Sequence, residues 1–167
     1  VKPVERIEAG DWVAARNQYS KQTQWRLVLQ TFATPEKEAV HVEIQHPDGM
    51  RETISCTTEH PFYVIDKGWC GASGLQPGDS MELLDSGPSV VIAVVDAAER
   101  YTVYNFEVAD DHTYFVGERG IWVHNASTMR GVGVADNAMR AEIARIGQEG
   151  HALARHGGAV TDRQLYV

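Results

Sequence analysis

The sequence predicts an all-β domain over residues 1–125, followed by a short, mainly helical tail over residues 126–167. Three observations predict it. Hydrophobic alternation of period two recurs between residues 40 and 125, turn signals punctuate it, and the text becomes helix-like after Asn125. A strand turns successive side chains to opposite faces, so period two marks a half-buried strand. Closely spaced short strands point to an all-β domain rather than to βαβ units. At 167 residues the chain suits one ordinary domain with a real core, plus an appendage.

Val40-His41-Val42-Glu43-Ile44 and Phe62-Tyr63-Val64-Ile65 read as strands, Val90-Val91-Ile92-Ala93-Val94-Val95 is a continuous apolar run, and Thr102-Val103-Tyr104-Asn105-Phe106-Glu107-Val108 alternates again. A last strand, Ile121-Trp122-Val123-His124-Asn125, ends the β text. Pro47-Asp48-Gly49, Lys67-Gly68, Pro77-Gly78-Asp79, Ser86-Gly87-Pro88 and Glu118-Arg119-Gly120 supply the turns. A faint internal echo links residues 4–13 to residues 72–81. Each has an apolar residue (Ile7, Leu75) three before a Gly-Asp pair and another (Val13, Met81) two after it. Either one turn chemistry is used twice, or two duplicated β lobes are present. Beyond Asn125, Ser127 or Thr128 suits a helix cap, and helical spacing of Ala138, Met139, Ala141, Ile143, Ala144 and Ile146 predicts a helix over 136–153. Gly147 and Gly150 divide it. Such a tail is too short to bury a core alone.

A net charge of −8 argues against nucleic acid as a partner for the β part. No run approaches the ~20 apolar residues of a membrane helix, so no membrane contact is expected. The start at Val1 reads as an interior segment, so the chain is expected to be part of a larger polypeptide. Cys56 and Cys70 have no metal-site spacing and read as small core residues; neither metal nor cofactor is expected.

Four features bear on chemistry. In Thr57-Thr58-Glu59-His60 a hydroxyl and an imidazole lie three residues apart at a strand end, suited to one peptide group; alone, the stretch reads equally well as a surface turn. Asn105 and His112 offer a backbone hydrogen bond and carbonyl polarisation, although Asp110-Asp111-His112 also suits a plain turn. His124-Asn125 places an imidazole beside an asparagine able to attack its own carbonyl, close a succinimide and expel Ala126. The short return from His112 to Asn125 lets the two flanking strands pair. The cyclisation is unfavourable in a free peptide, so a fold must align the amide, polarise the carbonyl and protonate the leaving nitrogen.

Taken together, residues 4–13, Thr57-Thr58-Glu59-His60-Pro61-Phe62-Tyr63-Val64, Gly68-Trp69, Leu75-Gln76-Pro77-Gly78-Asp79, Tyr104-Asn105-Phe106-Glu107-Val108, His112-Thr113-Tyr114-Phe115-Val116-Gly117 and Val123-His124-Asn125 resemble the Hint (Hedgehog/intein) family. The branch they are most similar to is the pretoxin Hint domain of bacterial polymorphic toxins. The resemblance covers essentially residues 1–125 and implies a horseshoe-like fold of two pseudo-symmetric β lobes. It implies that Thr57 and His60 assist activation of an upstream peptide bond, that His112 assists asparagine cyclisation, and that His124 polarises the carbonyl of Asn125, the cyclising residue. There are three departures. The family's nucleophilic cysteine falls before this chain, Asn105 stands where splicing inteins carry an aspartate, and Ala126 replaces the acyl-accepting Cys, Ser or Thr.

Cleavage of the Asn125–Ala126 bond without splicing is therefore expected, a single-turnover event that frees a toxin domain held in cis. The resemblance also implies a monomer, an immunity protein as a further partner, and a secreted or cell-surface bacterial effector. Residues 150–165 faintly resemble the opening of RNase A-like contact-dependent toxins, with His151 as a candidate acid/base and no nuclease activity expected from this chain. The alternative is an impaired Hint scaffold that presents the toxin or docks a partner. A simple sandwich binding module is a third reading.

Overall fold

The computed structural model of the chain describes residues 2–85 and 87–125. The expected helix over 136–153, Ser127, Thr128, Ala126 and His151 lie outside the described residues. Eleven strands make up the described part: β1 (Trp12–Arg16), β2 (Thr23–Lys37), β3 (Val40–Gln45), β4 (Arg51–Cys56), β5 (Pro61–Val64), β6 (Gly68–Gly71), β7 (Ser80–Met81), β8 (Ser89–Asp96), β9 (Tyr101–Val108), β10 (Thr113–Val116) and β11 (Ile121–His124). Among them no helix is long and apolar enough to cross a membrane. One sheet has the order β1-β2-β9; the other runs β10-β11-β5-β7-β8-β3-β4, with β6 paired to β5.

The Gly-Asp echo is a structural duplication. A short 3-10 turn (Val4–Arg6, Ala72–Gly74) precedes each copy. Gly10 N–H donates to the Val28 carbonyl and Val28 N–H returns to the Asp11 carbonyl; Gly78, Val91 and Asp79 repeat both bonds. Asp11 accepts from Glu8 N–H and Lys2, and Asp79 accepts from Gln76 N–H and Lys67. Both glycines sit in the left-handed region, at φ +99° and +96°, where a Cβ is disfavoured. The duplicated halves then exchange arms. The strand after the first Gly-Asp hairpin, β2, pairs with β9 of the second half, and β8 of the second half pairs with β3 of the first.

Four expected strands lie at β3, β5, β8 and β9, and the last at β11. The apolar Val90–Val95 run is only partly covered: Val91 is buried, while Val90 and Val95 are exposed. β2 spans fifteen residues despite Pro35, which the ladder accommodates with a register shift between Thr34 and Lys37. The main core gathers Val13, Val28, Ile44, Ile54, Phe62, Phe106, Tyr114 and Ile121, and Cys56 lies within it as expected. A smaller cluster of Ala14, Phe115 and Trp122, flanked by Tyr63 and Trp69, borders the end of β11.

The carboxylate of Glu52 ties the β10–β11 turn to the β3–β4 hairpin. One oxygen accepts from Glu118 N–H at 2.8 Å; the other meets His46 Nε2 at 2.9 Å, and His46 Nδ1 reaches Ser89 Oγ at 2.7 Å. Burial raises the Glu52 pKa against these bonds. At Gly117, φ +77°, a Cβ would meet that carboxylate at 2.7 Å, so a larger residue there must both adopt a strained backbone and displace Glu52.

Candidate functional site

The site forms where β11 ends. β10 and β11 pair from Val116↔Ile121 to Thr113↔His124, and Asn125 N–H continues the ladder by donating to the His112 carbonyl at 2.8 Å. β11 also pairs with β5, the strand that follows His60, through Val123↔Phe62. The hairpin expected between His112 and Asn125 is present, and its end brings His112 and His124 to Asn125.

Asn125 is fully buried, and its polar groups are held from several sides. His124 Nδ1 lies 2.9 Å from the Asn125 carbonyl oxygen. A carbonyl only accepts, so Nδ1 carries the proton and donates. From β9, Asn105 Oδ1 accepts from Phe106 N–H at 2.9 Å, which fixes the orientation of that amide. Its Nδ2 then donates to Asn125 Oδ1 at 3.0 Å. Asn125 is thereby oriented too: its oxygen faces Asn105, and its amide nitrogen takes the other side. Tyr114 Oη donates more weakly to Asn105 Oδ1, at 3.4 Å.

His112 closes the β9–β10 turn at φ +51°, with Asp110 at +65°. Both are non-glycine residues in the left-handed region, a conformation costing roughly 1–2 kcal/mol that tertiary contacts must offset. Those contacts centre on the buried Asp111 carboxylate, which accepts from Arg26 Nε at 2.7 Å and Asn17 Nδ2 at 2.8 Å. His112 Nδ1 is buried and has no hydrogen-bond partner among the described residues; the same holds for both ring nitrogens of His60. Unpartnered buried polar atoms are rare in folded proteins and cluster where function requires them.

The imidazoles share one electrostatic neighbourhood. Burial, and next the nearby His124, push His60 down to about 3. Burial also lowers the His124 pKa, opposed by its bond to the Asn125 carbonyl and reinforced by His112. His60 and His124 are thus neutral at pH 7, the state in which an imidazole both donates and accepts a proton. Thr57 is not brought to this cluster. Its carbonyl accepts from His60 N–H at 3.1 Å, and among the described residues its hydroxyl makes no hydrogen bond to the histidines or Asn125.

Two groups beside the site carry no chemical role in the sequence reading. Trp69 of β6 stands edge-on to His124, ring centroids 5.0 Å apart at 84°. Asp111 reads as a turn residue in sequence, because its partners lie 85 and 94 positions away. A tryptophan directly after a turn glycine, Gly68-Trp69, is the one sequence signal that marks the first. Among the described residues no group of three or more His, Cys, Asp or Glu could hold a metal ion.

Chemically, the arrangement polarises one carbonyl, fixes the amide that belongs to the same residue, and surrounds both with proton-carrying rings. The sequence family model of the pretoxin HINT domain matches residues 1–126. Among solved structures, a bacterial intein-like domain from Clostridium thermocellum matches with 36% identity and a TM-score of 0.63, over 73% of this chain and 86% of that one. A DnaB intein from Synechocystis matches with 19% identity and a TM-score of 0.57, over 71% of this chain and 80% of the other. A DnaX mini intein from Spirulina platensis gives 24% and 0.53, over 68% and 81%. These last two show the fold alone. The curated proteins give no match. With the family model matching three quarters of the sequence, the chain belongs to the pretoxin HINT family and has its intein-like all-β fold of two duplicated lobes.

Proposed function

We propose that this domain cuts its own chain once, by cyclisation of Asn125. The Asn125 side-chain nitrogen attacks its own main-chain carbonyl carbon and closes a succinimide. The bond from that carbon to the Ala126 nitrogen breaks, and the proton lost by the attacking amide ends on the departing amine. No water is consumed. His124 Nδ1–H stabilises the charge that develops on the carbonyl oxygen, as an oxyanion donor does. Asn105 performs the same service for the side-chain oxygen, which gains negative character as its nitrogen loses a proton. His112, beside them, carries the proton between the two nitrogens.

The single observation that carries this reading is the 2.9 Å contact of His124 Nδ1 with the Asn125 carbonyl oxygen. That contact weighs against the scaffold alternative, which calls for histidines out of reach of this peptide group. Ala126 offers no side-chain nucleophile, so the flanks are not rejoined. Neither cysteine stands near the start of the domain, and Cys56 is sealed in the core with its thiol pKa raised by burial, so neither supplies an acyl shift. The cut releases the segment beyond Asn125, which we read as a toxin carried in cis within a secreted or surface-held effector and met by an immunity protein.

Time courses of purified chain on denaturing gels test the proposal. Wild type yields two pieces. Asn125→Ala yields none, and His124→Ala slows the cut about 100-fold, the scale of losing one oxyanion donor. Equal rates in His124→Ala and wild type would refute the assigned role.

A further inference from the structure

The turn 17–22, which joins β1 to β2, is linked through intervening side chains to both the carbonyl and the N–H of Asn125. It is a self-supported turn. Asn17 N–H donates to the Gln22 carbonyl, Lys21 N–H donates to the Asn17 carbonyl, and Asn17 Oδ1 accepts from the N–H groups of Tyr19 and Ser20. Lys21 sits at φ +58° to complete it.

One branch leads to the Asn125 carbonyl. Gln18 Oε1 accepts from Trp69 Nε1–H at 3.0 Å, and the Trp69 ring abuts His124. A histidine ring turned by half a revolution would put a carbon where Nδ1 stands and lose the bond to Asn125. Trp69 walls the ring, and Lys21 closes the aromatic group over it, its Nζ 3.7 Å from the Tyr63 centroid and 4.3 Å from that of Trp122. Tyr63 and Trp122 in turn pack on Trp69, at 5.2 and 4.9 Å. The other branch leads to the Asn125 N–H. Asn17 Nδ2 holds Asp111, the residue before His112, and the His112 carbonyl receives that N–H.

We infer that the turn 17–22 is a positioning element of the cleaving end, setting the His124 ring through Gln18 and Trp69 and the His112 carbonyl through Asn17 and Asp111. The inference rests on the proposed cleavage for its consequence and on geometry for its content. None of these residues touches a reacting atom. They hold the N–H and the C=O of one residue, on either side of its Cα, in the orientation that attack requires, where an ångström of misplacement is enough to cost about two orders of magnitude in rate.

The test has two readouts. In full chain kept intact by Asn125→Ala, long-range proton–nitrogen NMR reports the His124 tautomer. The Nδ1–H form dominates with Trp69 present, persists in Trp69→Phe, and gives way to a mixture in Trp69→Ala. In cleaving chain, Trp69→Ala slows the cut about 100-fold. Gln18→Ala and Trp69→Phe each slow it about threefold, and the double variant is no slower than either single one, because both remove the same hydrogen bond. Asn17→Ala slows the cut with the tautomer unchanged. An unchanged tautomer in folded Trp69→Ala, or additive losses in the Gln18/Trp69 cycle, would overturn the inference. Should Trp69→Ala fail to fold, the Gln18→Ala and Trp69→Phe cycle decides alone. A wild-type chain that stays whole, yet shows the tautomer change, would sink the cleavage proposal and leave the positioning intact.

Discussion

At Asn125 two amides meet, and a single backbone N–H decides which atom of each faces the other. Phe106 N–H takes Asn105 Oδ1, Asn105 Nδ2 takes Asn125 Oδ1, and the attacking nitrogen is left on the side away from Asn105. An aspartate there, as in splicing inteins, has two acceptor oxygens. In this chain Asn105→Asp would set a carboxylate oxygen against Asn125 Oδ1. Relief comes by flipping the Asn125 amide, which turns its nitrogen into a donor to the new carboxylate. Asn105→Asp is therefore expected to cleave about 30-fold slower, and Asn105→Ala about fivefold slower, on hydrogen-bond scales of roughly 2 and 1 kcal/mol. Rates from gel time courses check the order; a faster Asn105→Asp would contradict the orientation described. His60 makes a residue-scale prediction of its own. Its folded pKa, about 3, lies below the ordinary 6.5, so the unfolded chain binds the extra proton as pH falls between those values. The neutral buried ring contributes no loss above 6.5, and stability then declines by about 1 kcal/mol per pH unit on acidification. His60→Leu removes that slope. It also removes two buried nitrogens without partners among the described residues, so it is expected to gain about 1 kcal/mol at pH 7. Urea denaturation at pH 7 and pH 5 measures both effects.

At the scale of elements, the duplicated Gly-Asp hairpins make equal demands on their glycines. Gly10 and Gly78 have open space around an added Cβ and nearly the same positive φ, so each change to Ala costs about 1 kcal/mol through backbone strain alone. Gly117→Ala adds a collision with the Glu52 carboxylate and is expected to cost about 2 kcal/mol or more. Thermal melts of the three variants check the ranking; a Gly117→Ala no worse than Gly78→Ala would contradict the close packing of Glu52 on the turn. The duplication was legible in sequence because a Gly-Asp turn with flanking apolar residues is local chemistry. β9 and the β10–β11 hairpin were legible for the same reason, in alternation and turn residues. β2 was not: most of its fifteen residues are exposed, and it carries Pro35. Its length comes from pairing with β9, some seventy positions distant, and no local pattern records that.

For the whole molecule, the exchange of arms between halves, β2 with β9 and β8 with β3, ties local hairpins together by long-range pairings. It also explains how far the site was readable. The motifs named Thr57, His60, Asn105, His112, His124 and Asn125, and the fold sets Asn105, His112 and His124 directly against Asn125. Thr57, which the resemblance assigns to an upstream bond, meets His60 only through its carbonyl, which accepts from His60 N–H. The supports, Asn17 and Arg26 on Asp111 and Gln18 on Trp69, come from strands and turns that sequence spacing cannot bring together. Intact mass spectrometry of full chain after prolonged incubation reads the cut itself: a piece beginning at Ala126 and a complementary piece ending at Asn125 that is one water lighter than the free acid are expected. A chain that stays whole, or a cut that leaves a free acid at Asn125 or falls elsewhere, would contradict it.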